Sequence, residues 1–218
     1  RRPGRQTKAR AANEGPGGIS DFLKGRIVMG ILSSLGKRRS VYQINKNLPV
    51  SEDEVIKIIK EAVVLVPDAF NMQSAKVVVA LGDKQDQLWD GIYDAFGGKV
   101  KREKIDGFKA GAGTVLYFVD DDVVKGLQER FASYADNFPI WAQQANGMLQ
   151  ISVWTALREV GVGANIQHYN PVIDEMVKKM FDVPDSYRFV AEMPFGGISA
   201  EPDPKPEQDL EARTKVFR

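Results

Sequence analysis

The chain has 218 residues, and two residue types with versatile chemistry are almost missing from it: there is no cysteine and one histidine. The absence of cysteine excludes disulfide bonds, thiolate zinc sites and a cysteine nucleophile, and it makes the cytoplasm the expected compartment. A single histidine excludes metal sites that need several histidines and most histidine-relay mechanisms. We therefore expect no metal centre.

An excess of charge of one sign is missing as well. The 30 basic and 29 acidic residues give a formal charge of +1, which does not indicate a nucleic-acid or membrane binder. Residues 137–157 carry no charged side chain, a length that suggests a membrane span. Amides such as Asn146 and Gln150 argue against a span, because amides are costly in hydrocarbon. We interpret this segment as a helix that is buried on most faces and also meets a partner subunit.

The basic residues are concentrated near the start of the chain. Residues 1–28 hold seven basic residues and two acidic ones, and residues 1–18 lack apolar periodicity. We interpret 1–28 as a leader left from expression, with Met29 as the natural start and 29–218 as one domain. A transit peptide or a genuine basic arm are the alternatives.

Helix and strand signals alternate along the rest of the chain. Ser51 and Glu54 form a capping box, and apolar residues at helical spacing follow until Pro67. Three short segments rich in β-branched or aromatic residues predict strands: 75–81, 114–119 and 187–193. Further helices are predicted at 31–37, at 84–96, at 137–157, after Asp120–Asp122 and from Asn170-Pro171. This alternation fits an α+β or α/β fold.

Two segments predict irregular structure. Residues 97–113 contain five glycines and a basic cluster at 99–104, so we expect a mobile loop there. The basic cluster could contact phosphate, but a solvated run of charge is the favoured interpretation because no aromatic residues interleave with it. Three prolines between 200 and 209 predict an extended tail.

Common nucleotide and hydrolase motifs are incomplete or missing. Gly161 and Gly163, and likewise Gly111 and Gly113, give two glycines of a dinucleotide-binding fingerprint but lack the third. There is no phosphate-binding P-loop and no nucleophile elbow. Residues 120–122 could hold a cation, but we favour helix capping for these three aspartates.

Three polar segments remain as candidates for a site. Arg38, Arg39 and Ser40 offer forked, charge-assisted donors that suit a phosphate dianion, although a solvated helix end is the alternative. Asn71 and Gln73 lie between a helix and a strand, where amides suit an imide-like ring edge or cap a turn.

The third segment, 163–171, contains His168, the single histidine of the chain. Its side chain could line a site or be a satisfied core residue.

Taken in order, these segments resemble the nitroreductase superfamily of flavin-dependent oxidoreductases, and within it the branch of the yeast fatty-acid-repression-mutant proteins and their bacterial relatives. The resemblance covers roughly residues 31–217. It is carried by these motifs: RRS, P-x-x-x-N-x-Q-S, TVLYF-x-D, GMLQ-x-x-VWTAL, G-x-GANIQHYNP and MPFG followed by K and R-x-KVF.

The resemblance implies an α+β fold with a central, mostly antiparallel sheet flanked by helices, in a domain-swapped type of homodimer. It also implies one FMN per subunit in the interface cleft. The residues implied to contact FMN are Arg38, Arg39 and Ser40 at the phosphate and ribityl chain, Tyr42, Asn71 and Gln73 at the pyrimidine edge, Gln167 and His168 beside the central ring, and Lys205 and Arg213 over the phosphate.

One position departs from the family pattern. Many members have a lysine or arginine two residues after the serine, near the flavin N1–C2 carbonyl, whereas this chain has Tyr42. Reduced flavin is anionic there and needs a nearby cation or donor. Lys76 is one candidate for this role, without firm support. Asp68 and Ala69 also replace the usual small hydroxyl residues.

The implied activity is an FMN-dependent oxidoreductase that passes hydride from NADH or NADPH, by ping-pong exchange, to a nitroaromatic, quinone or related acceptor. No side chain is expected to act as a chemical catalyst, because the flavin carries the hydride. Two other hypotheses stay open: a flavin-binding regulatory or storage protein with little turnover, and a binding module that uses the basic arm.

Overall fold

The computed structural model describes residues 30–204 and 212–218. These residues form an antiparallel sheet flanked by helices, which confirms the α+β prediction. Its five strands are β1 (Ile44–Asn45), β2 (Ala75–Leu81), β3 (Gly113–Asp120), β4 (Gly163–Ala164) and β5 (Tyr187–Ile198). The order is β1-β5-β3-β2, and β4 pairs with the end of β5. The predicted leader 1–28 lies outside the described residues.

Seven α-helices surround the sheet within the described residues. They are α1 (Ile31–Lys37), α2 (Glu52–Leu65), α3 (Asp83–Ala95), α4 (Arg102–Lys109), α5 (Asp121–Arg130), α6 (Phe138–Glu159) and α7 (Asp174–Phe181). Two short 3-10 helices, Ala69–Asn71 and Ala132–Asn137, connect them. Helix α2 begins as predicted, since the Ser51 side chain accepts the Glu54 N–H at 3.2 Å.

Strand β3 runs through the centre of the core. Its residues from 113 to 119 are all buried, because β2 and β5 flank it and helices cover both faces. Alternate side chains feed two apolar clusters on opposite faces of the sheet. Tyr117 lies in the cluster beneath α2 and α6, and Phe118 lies in the cluster beneath α3, α4 and α7.

The prediction of a mobile loop at 97–113 is wrong in its second half, where α4 forms. Ile105 and Phe108 are buried one turn apart, and they anchor the helix to the core. Arg102 adds an ion pair to Asp106, four residues on, at 2.7 Å. Tertiary burial thus outweighs the helix-breaking tendency of the glycines.

The predicted start of the last helix at Asn170-Pro171 is also displaced. Helix α7 begins at Asp174, and no side chain caps it. Asp174 and Glu175 place two carboxylates in its first turn, where they interact favourably with the helix dipole. Similarly, Asp120 does not cap α5 with its side chain, although Asp121 and Asp122 lie in the first turn.

Helix α6 spans the uncharged segment, and one face of it is buried. The buried residues are Phe138, Ala142, Ala145, Asn146, Leu149, Val153 and Leu157. The expectation of burial on most faces is therefore wrong for the chain by itself. The opposite face is uncharged and open, with Ile140 55% and Met148 42% exposed. No helix in the described ranges is long and apolar enough to cross a membrane.

Candidate functional site

The segment after α1 meets the segment after β5. Val41 donates its N–H to the Ala164 carbonyl at 3.0 Å, and this attaches the first segment to β4. The Nη2 atom of Arg39 donates to the carbonyl of Asp203 at 2.6 Å. Arg158 of α6 pairs with Glu201 at 2.7 Å, so it holds the same C-terminal segment. Residues that are far apart in sequence therefore converge at one place.

A cavity of about 540 Å³ lies between these two segments, and we call it the phosphate pocket after the group that the family resemblance implies for Arg38, Arg39 and Ser40. Its lining consists of Arg38, Arg39, Ser40, Tyr42, Gln43 and residues 200–204. The sequence-predicted group at 38–42 thus shares one cavity. Lys205 lies outside the described residues, immediately after Pro204 in the lining. Arg213 is described and exposed, but it is not among the lining residues.

Arg38 has donor capacity that the described residues do not use. Its guanidinium stacks on the Trp154 indole, 4.1 Å from the ring centroid. Burial, and secondarily the neighbouring charge of Arg39, lower the pKa of Arg38. Its Nε is buried and has no hydrogen-bond partner among the residues described. A buried, unpaired donor beside a second guanidinium fits an anion such as a phosphate, since an unsatisfied polar group is costly.

The segment from 163 to 169 lies beside the phosphate pocket and is attached to residues around it by hydrogen bonds. Asn165 donates to the Val41 carbonyl at 2.9 Å, and Gln167 donates to the Asn165 side chain at 2.7 Å. Trp154, which supports Arg38, donates to the Ala164 carbonyl at 3.0 Å. The structure therefore brings Gln167 near the phosphate pocket through a chain of hydrogen bonds. The Gln167 side chain is half-buried and that of His168 is exposed.

Asn71 and Gln73 line a different cavity of about 300 Å³, which we call the amide pocket. Its lining is Val63, Val64, Val66, Pro67, Asp68, Asn71, Gln73, Ala75, Lys76, Ala145 and Leu149. Lys76 also lies 3.8 Å from Asp120, so its charge is shared with that carboxylate. This pairing weakens its case as a dedicated partner for a reduced flavin.

The turn that carries the two amides is strained. Phe70, Asn71 and Gln73 have φ values of 55°, 50° and 54°, in the left-handed region that non-glycine residues rarely adopt. Asp68 caps the turn by accepting the Ser74 N–H and hydroxyl, each at 2.9 Å. Asn71 and Gln73 make no side-chain hydrogen bond to any described residue. Their amides are therefore available to a ligand, and such strain is typical of functional sites.

The two pockets lie on opposite sides of α6. Ala145 lines the amide pocket, whereas Trp154, nine residues later, supports Arg38 in the phosphate pocket. At 3.6 residues per turn, nine residues make about two and a half turns. The two positions are therefore about 14 Å apart along the axis and on opposite sides of the helix. The cavities share no lining residue. One chain thus does not bring Asn71 and Gln73 to Arg38.

Lys104 of α4 belongs to the basic cluster at 99–104, which the sequence analysis interpreted as a solvated run of charge. Its Nζ lies 5.6 Å from the centre of the Tyr169 ring and 6.0 Å from that of Phe108. Tyr42, where a cation was expected, has its ring centre 6.4 Å from that of Phe108. The ammonium thus lies near Phe108, whose ring neighbours that of Tyr42 in the pocket lining. No spacing signal could have identified it, because those rings come from three segments.

Comparisons with known proteins identify the family of the chain. The model of the nitroreductase family matches residues 35–197. The nitroreductase FRM2 of Saccharomyces cerevisiae is 31% identical over 177 residues, which cover 80% of this chain and 91% of that protein.

Solved structures give the same family. Nitroreductase CinD from Lactococcus lactis, in complex with chloramphenicol, is 44% identical with a TM-score of 0.83, covering 87% of this chain and 100% of that one. A second CinD structure, with nicotinic acid, has a TM-score of 0.82. A protein from Exiguobacterium sibiricum in complex with FMN has a TM-score of 0.68, with coverage of 88% and 99%. At 12% identity this last match shows the fold alone.

Proposed function

The chain belongs to the nitroreductase family of oxidoreductases, and from that premise we propose that it uses FMN to transfer hydride from NADH or NADPH to nitroaromatic, quinone or related acceptors. The unpaired donor of Arg38 in the phosphate pocket is the observation that carries the proposal. The CinD complexes support it, because chloramphenicol carries a nitro group on an aromatic ring and nicotinic acid resembles nicotinamide.

The phosphate pocket fits the phosphate of FMN. Arg38 and Arg39 supply two positive charges for a group that carries about two negative charges near neutral pH. Ser40 adds a hydroxyl, and Lys205 follows the lining residue Pro204 closely enough to reach the same anion. Arg213 is proposed to join them. When bound, FMN supplies the hydride chemistry, and the side chains here bind and orient it.

The ring of the cofactor is proposed to lie along the wall formed by Gln167 and His168. Gln167 is fixed by Asn165, so little side-chain entropy is lost when the ring binds. His168 is exposed and can line the ring face that meets the substrate. A single binding face for donor and acceptor gives the alternating, ping-pong order, and no separate dinucleotide-binding fold is needed.

A homodimer completes the site in this proposal. Asn71 and Gln73 lie across α6 from the phosphate pocket, so we infer that they contact the FMN held mainly by the partner subunit. The open face of α6 supports a dimer, since it is uncharged and joins exposed apolar side chains. Those side chains include Ile31 at 75%, Leu32 at 80%, Val64 at 82% and Leu65 at 78% exposure.

Lys104 is proposed to take over the role of the missing cation at position 42. Its ammonium has no ion pair with any described residue, unlike Lys76, which pairs with Asp120. A free ammonium near the ring stabilises a developing negative charge on it. Tyr42, 55% exposed at the pocket lining, then contributes surface to the pocket and no charge.

One visible absorption spectrum tests the proposal. The purified protein, after incubation with FMN and gel filtration, is expected to be yellow and to bleach anaerobically with NADH or NADPH. Addition of chloramphenicol is expected to restore the colour. A protein that retains no FMN contradicts the proposal. Retained FMN without bleaching supports the alternative of a flavin-binding regulatory or storage protein, which the absence of a cation at Tyr42 favours.

A further inference from the structure

Glu192 is a carboxyl group in the middle of the core. It lies on β5 and is fully buried, with 0% exposure. Its Oε1 accepts the backbone N–H of Tyr169 at 2.8 Å. Its Oε2 is also buried and has no hydrogen-bond partner among the described residues. A half-satisfied carboxyl group is costly in a core, so it needs an explanation.

The same residue holds the wall of the proposed flavin site. Gln167 donates its N–H to the Glu192 carbonyl at 2.8 Å, and Glu192 donates its N–H to the Gln167 carbonyl at 3.2 Å. Together with the bond from Tyr169, three hydrogen bonds fix residues 167–169 to one position on β5. Two of them any residue could make, but the third requires the side chain of Glu192.

The groups around this carboxyl do not neutralise it. Tyr169 Oη and Asp174 Oδ1 are buried without a hydrogen-bond partner in the described part of the chain. Asp174 belongs to α7, where Lys178 and Glu175 act on it in opposite senses. Lys104 of α4 lies over the Tyr169 ring. Helix α3 contributes non-titrating residues to this cluster, namely Leu88, Trp89 and Ile92.

Burial dominates the ionisation of this site. It raises the pKa of Glu192 to about 7, with Asp174 adding to the effect and the Tyr169 N–H opposing it. Burial likewise raises the pKa of Asp174. The phenol of Tyr169 is shifted in the same direction, since burial and the nearby Glu192 raise its pKa to about 12. Burial therefore shifts the pKa of all three oxygen acids upward.

We propose that Glu192 is a positioning residue whose carboxyl group shapes the 167–169 wall for the flavin ring and whose ionisation opposes negative charge on that ring. The inference rests on the proposed function. Below about pH 7 the carboxyl is neutral and the wall carries no charge from it. Above about pH 7 it places a negative charge behind the ring, which weakens the binding of reduced FMN more than that of oxidised FMN.

Three variants test this inference. Glu192→Gln keeps an acceptor for the Tyr169 N–H but cannot ionise, and Glu192→Leu removes the acceptor. Glu129→Gln, at an exposed position on α5, is the matched control. For each protein, the dissociation constant of oxidised FMN is measured by fluorescence quenching. The two-electron potential of the bound flavin is measured by equilibration with a redox dye, from about pH 5.5 to about pH 8.5.

At high pH the potential of Glu192→Gln is expected to lie above that of the wild type by about 30 mV, which corresponds to tenfold tighter relative binding of reduced FMN. At the low end of the range the two potentials are expected to coincide. Glu192→Leu is expected to bind oxidised FMN about tenfold more weakly at every pH, because the Tyr169 N–H loses its acceptor. The control is expected to match the wild type throughout.

The apoprotein gives a readout that needs no flavin. Because the folded pKa of Glu192 is raised from 4.5 to about 7, its stabilising effect is complete below the unfolded value and is lost as the pH rises through 7. The melting temperature of Glu192→Gln relative to the wild type is therefore expected to increase between about pH 5 and about pH 8.

The possible results distinguish a failure of the proposed function from a failure of the role proposed for Glu192. A wild type that binds no FMN overturns the proposed function and, with it, the link between Glu192 and the flavin. A wild type that binds FMN, with Glu192→Gln showing the same potential at every pH, overturns this inference alone. If Glu192→Leu does not fold, the potentials measured for Glu192→Gln test the inference by themselves.

Discussion

The phosphate pocket and the amide pocket are built in different ways. Two segments line the phosphate pocket, and hydrogen bonds between residues more than 100 positions apart hold them and the neighbouring segment 163–169 together, such as Asn165 to Val41 and Arg39 to Asp203. One local turn, capped by Asp68, presents the amides of the other pocket. One half of the proposed site is thus assembled by the fold of a single chain, whereas the other half is proposed to be completed by a second copy.

This difference predicts the largest effect at Arg38. Replacing Arg38 with alanine removes a charged donor and its packing on Trp154, so FMN affinity is expected to fall by about 100-fold. The dissociation constant is measured by FMN fluorescence. Lys37→Ala, at the exposed position before it, is the control and is expected to bind normally. An Arg38→Ala protein with wild-type affinity would falsify the location of the phosphate.

The dimer is tested on the open face of α6. Met148→Glu places a charge at a 42% exposed apolar position, so we expect the dimer to dissociate and FMN affinity to fall by roughly tenfold or more. Sedimentation velocity measures the mass. Val172→Glu, also at an exposed apolar position but away from α6, is expected to remain dimeric. A monomeric Met148→Glu protein that binds FMN like the wild type would mean that one chain holds the whole site.

Two substitutions at Asn71 separate the contribution of its amide to FMN binding from the cost of its backbone strain to stability. Asn71→Ala and Asn71→Gly both remove the amide, so each is expected to weaken FMN binding by about tenfold. Only glycine adopts the φ of 50° freely, so the apoprotein of Asn71→Gly is expected to be about 1 kcal/mol more stable than that of Asn71→Ala. Calorimetry and FMN titration measure the two effects. Equal stability of the two variants would argue against strain at this turn.

The smallest effect is expected at Lys104. Lys104→Met should leave oxidised FMN binding almost unchanged and lower the flavin potential by about 15 mV, because one exposed charge is partly screened. Lys101→Met, one turn earlier and also exposed, is the matched control. If both variants leave the potential unchanged, the cation for the reduced ring must be sought elsewhere, with Lys76 as the next candidate.

Most of the sheet and the long helix could be predicted from local signals. Strand β2 has its predicted bounds, and α2 begins at the predicted cap, because β-branched runs and capping boxes act over a few residues. Helix α4 escaped prediction, since Gly107, the glycines that flank the helix and its basic residues outweigh two apolar positions, Ile105 and Phe108, in any local window. Burial of those two side chains decides its structure.

The candidate site likewise combines features that local signals predicted with features that depend on contacts between distant segments. Short motifs grouped Arg38, Arg39 and Ser40, which line one cavity in the structure, and their contact with FMN, like that of Gln167, stays a prediction. The motifs did not reveal that Asn71 and Gln73 lie across α6 from that group. Nor did they reveal Lys104 or Glu192, whose environments come from residues on other segments.

Local sequence signals were sufficient to predict the family, the α+β class, most of the helices and strands, and the side chains available for an anion and a planar ring. The packing of distant segments settled which of those side chains share a cavity, which carboxyl is buried, and which face of α6 stays open. The two kinds of information differ in their range along the chain. Propensity and capping act between neighbours in the chain, whereas burial, desolvation and pocket geometry depend on contacts between segments that no local pattern records.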